Sequence, residues 1–174
     1  VEADGERCYN TAVVAGPRGF VGRPRKVHLP DIERRYFDPG EPDAPVFDLD
    51  GVRIGLVVCF ESWFPEHARL LADRGAELLL NPANFGGPWS LDIIRVRALE
   101  NVVYAVTANR TGHEARAGID AHFRGESRVV SPEGEILLQA SGDEALAVVE
   151  IDPVRARDKR NLMCDDMWRE RAHS

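Results

Sequence analysis

GVRIGLVVCFESWFPE, Gly51 to Glu66, is the stretch on which the reading of the whole chain turns. An apolar run through Ile54, Leu56, Val57 and Val58 stops at a single cysteine, Cys59. Phe60, Glu61, Ser62, Trp63 and Phe64 follow, and then Pro65 and Glu66. The run has the length and residue types of a buried strand. Pro65 suits the first turn of a helix. A strand that ends in a thiol and leads through a tight turn into a helix can hold a nucleophile rigid and exposed. The backbone amides of Phe60 and Glu61 are candidate oxyanion donors there, and a helix start favours the thiolate. Free cysteine is also among the most buried residue types, so Cys59 taken alone reads more readily as core filler.

Working outward, the 174 residues suffice for one domain, 1–174, with a real core. Apolar content of 44% and charged content of 29% are ordinary for a globular protein. A net charge of −7 disfavours nucleic acid or an anionic membrane as the main partner. No apolar run approaches the length of a membrane helix, and the opening VEADGER has no signal-peptide character. Cys8, Cys59 and Cys164 are odd in number and widely spaced, which fits neither a disulfide framework nor a zinc ligand set. A reducing cytoplasm is the simplest compartment.

Before the central stretch, Cys8 to Gly16 and Phe20 to Leu29 read as two strands joined at Pro17-Arg18-Gly19, with Pro24 interrupting the second. Val46–Leu49 and Val52–Val58 flank Asp50-Gly51, a hairpin dipeptide. After it come a helix from Pro65 to Arg74, a strand over Ala76–Leu80, and a loop from Asn81 to Pro88. Ser90 opens a second helix to about Asn101, followed by a strand over Val102–Ala108 and a polar loop from Asn109 to Phe123. Arg128–Val130 and Ile136–Leu138 flank another turn, and Ala145–Ile151 reads as the last strong strand. This order predicts an α/β fold with mixed sheets, sheet packed on sheet and helices on the outer faces.

A cysteine nucleophile needs a base. His28, His67, His113, His122 and His173 lie in no recognisable pattern, no HExxH is present, and there is neither a GxSxG nor a phosphate-binding glycine loop. Lys26, in Arg25-Lys26-Val27-His28-Leu29-Pro30, reads by itself as a solvated strand-end cation. Beside Cys59 it would favour the thiolate and steady an oxyanion. Glu33 reads by itself as a loop acid paired with arginine.

KVHLP, FDPGE, PVFDLDG, GLVVCFESWFPEHARLLADRGAELLLNPANF, RALENVVYAVTANRTG and FRGESRVVSPEGEIL occur in that order from about Tyr9 to the tail. As a set they resemble the nitrilase superfamily of carbon–nitrogen hydrolases, in its amidase-like branch. The resemblance implies an α-β-β-α sandwich that pairs as a homodimer or higher homo-oligomer, with no cofactor. It implies a Glu-Lys-Cys triad in which Cys59 matches the nucleophile and Lys26 the lysine. Glu33 matches an accessory glutamate, and the amide of Phe60 an oxyanion donor. Substrate contacts fall to Phe60, Glu61, Trp63, Asn84 and Phe85. The implied reaction is hydrolysis of a small linear amide through a thioester, with nitrilase chemistry, N-acyl transfer or an inactive fragment as alternatives. Two features depart from the pattern. Pro24 stands in place of an aromatic before Arg25-Lys26, and neither Glu2 nor Glu6 matches the triad glutamate. The chain therefore reads as the C-terminal portion of such an enzyme, an N-terminally incomplete sandwich.

Overall fold

The computed structural model describes residues 1–116 and 118–171. Three hairpins open the chain. β1 (Glu2–Asp4) pairs with β2 (Arg7–Tyr9), β3 (Val14–Gly16) with β4 (Gly19–Gly22), and β5 (Val46–Leu49) with β6 (Val52–Leu56). The last of these turns on Asp50 and Gly51, both at positive φ (52° and 87°), as an Asp-Gly hairpin requires. Helix α1 (Pro65–Asp73) carries the chain to β7 (Leu78–Ala83), and α2 (Ser90–Asn101) carries it to β8 (Tyr104–Asn109). A fourth hairpin joins β9 (Thr111–Arg116) and β10 (Ile119–Arg124); β11 (Arg128–Val130), β12 (Ile136–Gln139) and the short α3 (Met167–Arg171) complete the set.

Six strands form one sheet in the order β12-β11-β8-β7-β6-β5. Its centre, β6-β7-β8, is parallel because α1 and α2 return the chain to the same starting edge; the outer pairs are antiparallel. Leu79, Ala105 and Val130 face α1 and α2, where Ala68, Leu71, Ile94 and Ala98 meet them in the main core. The alternate residues Ile54, Leu56, Leu78 and Leu80 face the other way and pack against Val14 and Val21 of the β3–β4 hairpin. The layers thus run helix, sheet, hairpin. Among the described residues the expected second sheet is represented by two strands.

Several expected elements are revised. Cys8–Gly16 is two strands, and Phe20–Leu29 keeps strand form only over Gly19–Gly22. Beyond that, Pro24 offers only its carbonyl, which accepts from Ala12, and Thr11 bridges to Arg25 alone. β7 runs on through Asn81-Pro82-Ala83 against β8. Pairing with β6 has ended at Leu80, so the N–H that Pro82 lacks is not required on that side. The polar loop expected over Asn109–Phe123 contains the β9–β10 hairpin; β9 is polar on both faces, whereas β10 alternates Ile119, Ala121 and Phe123 with Asp120, His122 and Arg124, a strand signal inside the expected loop. Ala145–Ile151 forms no strand. Leu146 and Val148 are 96% and 90% exposed, and strand-forming residues without a ladder partner remain coil.

The tail returns across α1 and α2. Trp168 packs against the main core, with Arg69, Lys159 and Arg171 between 4.6 and 5.9 Å from its ring. Lys159 Nζ donates to the carbonyls of Asn101 (3.4 Å) and Val102 (3.0 Å) at the end of α2, and burial lowers its pKa to about 8. No helix among the described residues is long and apolar enough to cross a membrane.

Two predictions follow from this packing. A Cβ at Gly55 would sit 2.9 Å from Leu71 Cδ2 and 3.2 Å from its Cβ. Gly55→Ala is therefore expected to cost about 1–3 kcal/mol in urea unfolding, the usual range for overpacking. Lys159 is held below the usual lysine value of 10.5, so the unfolded chain binds the extra proton between about pH 8 and 10.5. Unfolding free energy should rise with pH across that window, and Lys159→Met should flatten the slope.

Candidate active site

Parallel strands deliver their carboxyl ends to one edge of a sheet, where following residues can converge. Here β6 ends at Leu56 and leads to Val58 and Cys59. β7 ends at Ala83 and leads to Asn84, and β8 ends at Asn109 and leads to Arg110. These residues line a cavity of about 470 Å³, which Asn10, Lys26 and Glu33 close from the N-terminal segments. Cys59 has φ 51°, a conformation unfavourable for a residue with a Cβ, and opens a short 3₁₀ turn over Cys59–Trp63. The expected strand–thiol–turn–helix sequence is present, with the strand ending at Leu56 and the helix starting at Pro65.

Lys26 is not the solvated cation that its sequence context alone predicts. It is 1% exposed, and its backbone is fixed on both sides: its N–H donates to Asn10 O (2.8 Å), and its carbonyl accepts from Gly40 (2.9 Å). Its Nζ donates to both oxygens of Glu33 at 2.8 Å. Asn10 Nδ2 donates to Glu33 Oε2 at 3.3 Å, so Glu33 is oriented from two sides. A buried ammonium persists only with such a partner.

Of the predicted substrate contacts, Asn84 lines the cavity. Glu61 does not. It is 2% exposed, and its side chain accepts from the backbone amides of Val27 and Val58, each at 2.7 Å. Its own amide donates to Val58 O, so it is not free as an oxyanion donor. Phe60 does not line the cavity; it is the second residue of the 3₁₀ turn, where first-turn amides have no intrahelical acceptor, and its ring meets Phe64 edge-on at 5.3 Å. Trp63 points away, donating to Ser90 Oγ at 3.2 Å. Phe85 is buried, and its N–H and C=O are both taken by the Asn109 side chain.

Asn10, Asn109 and Arg110 line the cavity and were not singled out in the sequence. The available signals were a lone amide inside the β-branched run CYNTAVVAG and the Asn-Arg of ANRTG. Asn109 also donates to Gly125 O at 2.7 Å, locking the end of β8 to two loops.

None of the four described histidines lines the cavity, and His173 lies outside the described residues. His113 and His122 stack on the β9–β10 hairpin at 4.7 Å. His28, Glu61 and His67 bring three ligand-type atoms within 4.8 Å of one another. However, His67 Nε2 lies 3.0 Å from the carbonyl of Leu56, which can only accept. That nitrogen therefore carries a hydrogen and has no lone pair for a metal. Both Glu61 oxygens already serve backbone amides, and His67 Nε2 stands 3.7 Å from the nearer one, so each of these two residues is committed to the backbone rather than to the trio. Glu2 is also remote from the cavity: Arg25 and Thr11 hydrogen-bond its carboxylate and lower its pKa to about 2.

A thiol on a positive-φ turn shares a cavity at the ends of parallel strands with a buried lysine and its half-buried glutamate partner, an arrangement that can support nucleophilic chemistry. The carbon-nitrogen hydrolase profile matches residues 1–161, and the chain belongs to that family. It is 43% identical over 171 residues to a nitrilase of Pyrococcus abyssi, covering 98% of this chain and 64% of that protein. An (R)-stereoselective amidase of a Pseudomonas species is 40% identical over 150 residues, 84% of this chain and 53% of the relative. Among solved structures, a mutant amidase from a Nesterenkonia species superposes with a TM-score of 0.75 at 33% identity, covering 86% of this chain and 59% of that one. That structure shows the Michael addition of acrylamide to its active-site cysteine. The chain thus spans between about half and two-thirds of the length of these proteins.

The Lys26–Glu33 pair can be tested by stability alone. Removing one partner of a buried pair costs about 3–5 kcal/mol. The 23% exposure of the Glu33 side chain places the expected loss for Glu33→Ala at the lower end. Lys26→Met added to Glu33→Ala should recover most of that loss, as urea unfolding of the single and double variants will show.

Proposed function

We propose that this protein hydrolyses the carbon–nitrogen bond of a small linear amide, with Cys59 as nucleophile. The observation that carries the reading is the convergence of Cys59, Lys26 and Glu33 on one cavity. Similarity to amidases, one of them with a modified active-site cysteine, supports it. The Cys59 thiolate attacks the amide carbon, and the carbonyl electrons move to oxygen. Lys26 and the Phe60 amide stabilise that oxyanion. The tetrahedral intermediate collapses, the C–N bond breaks, and the nitrogen leaves with a proton as ammonia or an amine. Water then attacks the thioester, releasing the acid and restoring the thiol.

The thiol proton needs an acceptor. Glu33 is the one carboxylate among the described residues that lines the cavity, and it is already paired with Lys26. This favours a second reading, in which the chain by itself reacts at Cys59 but does not turn over. A homodimer or higher homo-oligomer belongs to the same proposal, and light scattering tests it directly.

Release of ammonia from a panel of short amides and nitriles should favour the amides and disappear in Cys59→Ala. Turnover that survives Cys59→Ala would falsify the nucleophile assignment. Alkylation of Cys59 by iodoacetamide without any turnover would select the second reading.

A further inference from the structure

The two groups that carry the proposed chemistry come from segments far apart in sequence, and one side chain touches the backbone beside both. Glu61 Oε1 accepts the N–H of Val27, next to Lys26, and Glu61 Oε2 accepts the N–H of Val58, next to Cys59, each at 2.7 Å. Neither amide belongs to a strand ladder: Val27 lies outside every strand, and β6 has ended at Leu56. Hydrogen bonds to an ionised acceptor are shorter and roughly twice as strong as neutral ones. The second bond is also local, a turn residue reaching back to the amide at the start of its own turn.

We propose that Glu61 is a positioning residue whose single buried carboxylate sets the separation of the Lys26 ammonium from the Cys59 thiol. The proposal rests on the reading of those two groups as catalytic. Three features support it beyond the pair of contacts. Glu61 is 2% exposed, so water does not compete for its oxygens. Cys59 holds φ 51°, a conformation that persists only when its surroundings over-determine it, and the Val58–Glu61 bond lies immediately beside it. The flanks of the carboxylate are closed as well. His67 Nε2 stands 3.7 Å from Oε2 while bonded to Leu56 O, and His28, which follows Val27, stacks on Phe64 at 3.9 Å. The carboxylate geometry is hard to replace. Glutamine would present an NH₂ to one of the two amide donors, and aspartate is one methylene too short to reach both.

The test is the rate of Cys59 alkylation by iodoacetamide at one fixed pH, read by mass spectrometry of the Cys59 peptide, with Cys8 as an internal control. Displacement of reacting groups by about 1 Å costs on the order of 100-fold in rate. Glu61→Gln is expected to slow Cys59 by about 10- to 100-fold while Cys8 is unchanged, and Glu61→Asp to slow it by less. In a Lys26→Met background the same Glu61 changes should alter the rate by no more than about 2-fold, because a residue acting through Lys26 has nothing left to position. A folded Glu61→Gln variant that reacts at the wild-type rate overturns the proposal, as does equal slowing in both backgrounds. If Lys26→Met alone leaves the rate unchanged, the catalytic pairing of Lys26 with Cys59 is wrong, a different failure. Should the Glu61 variants not fold, hydrogen exchange in the unaltered chain decides. One shared carboxylate requires the Val27 and Val58 amides to be protected and to open together; unprotected or independent exchange overturns the proposal.

Discussion

The parallel register of β6, β7 and β8 is the constraint on which the site depends. Ile54 pairs with Leu78 and Leu78 with Tyr104, so three chain segments leave the sheet at the same edge. Cys59, Asn84 and Arg110 reach one cavity for that reason alone. The helices that enforce the register also supply the main core. Leu71 and Ile94 cover the face that Leu79 and Ala105 present, and Gly55 lets α1 approach β6 closely. Packing and site geometry are therefore coupled: a change that tilts α1 moves the end of β6, and with it the thiol.

Several polar groups inside this framework have specified partners, which fixes positions more sharply than apolar packing does. Asn81 joins strand ends by donating to Val57 O and accepting from Thr107. Asn109 takes three backbone groups of Phe85 and Gly125. Lys26 and Glu33 hold each other. Two of these, Asn81 and Lys26, come from stretches that looked like a loop start and a solvated strand end, because the same residue types serve both purposes.

Legibility in the sequence followed the strength of local signals. Both long helices, the Asp50-Gly51 hairpin and the central strands were readable, since periodicity, a proline or serine start and turn dipeptides act within a few residues. The β9–β10 hairpin was not: β9 carries no alternation, and the alternation of β10 stands alone in a polar stretch that buries little. In the site, Cys59, Lys26, Glu33 and Asn84 were reached through ordered motifs, while composition alone pointed to filler at Cys59 and solvent at Lys26. Glu61, a substrate contact by the resemblance, does not line the cavity: its side chain turns inward, toward the amides of Val27 and Val58.

Ala145–Ile151 shows the same lesson from the other side. Its residues, ALAVVEI, are strand formers by every local measure. Here they lie exposed, with Leu146 and Val148 almost fully in water, and they join no ladder. Hydrophobic strand residues gain stability only when a neighbour supplies hydrogen bonds and an apolar surface. The propensity of this segment is thus a statement about a partner, whereas that of β7, equally apolar, is met on both sides by β6 and β8. The difference between the two segments lies in what stands next to them, and that is decided by topology rather than by their own residues.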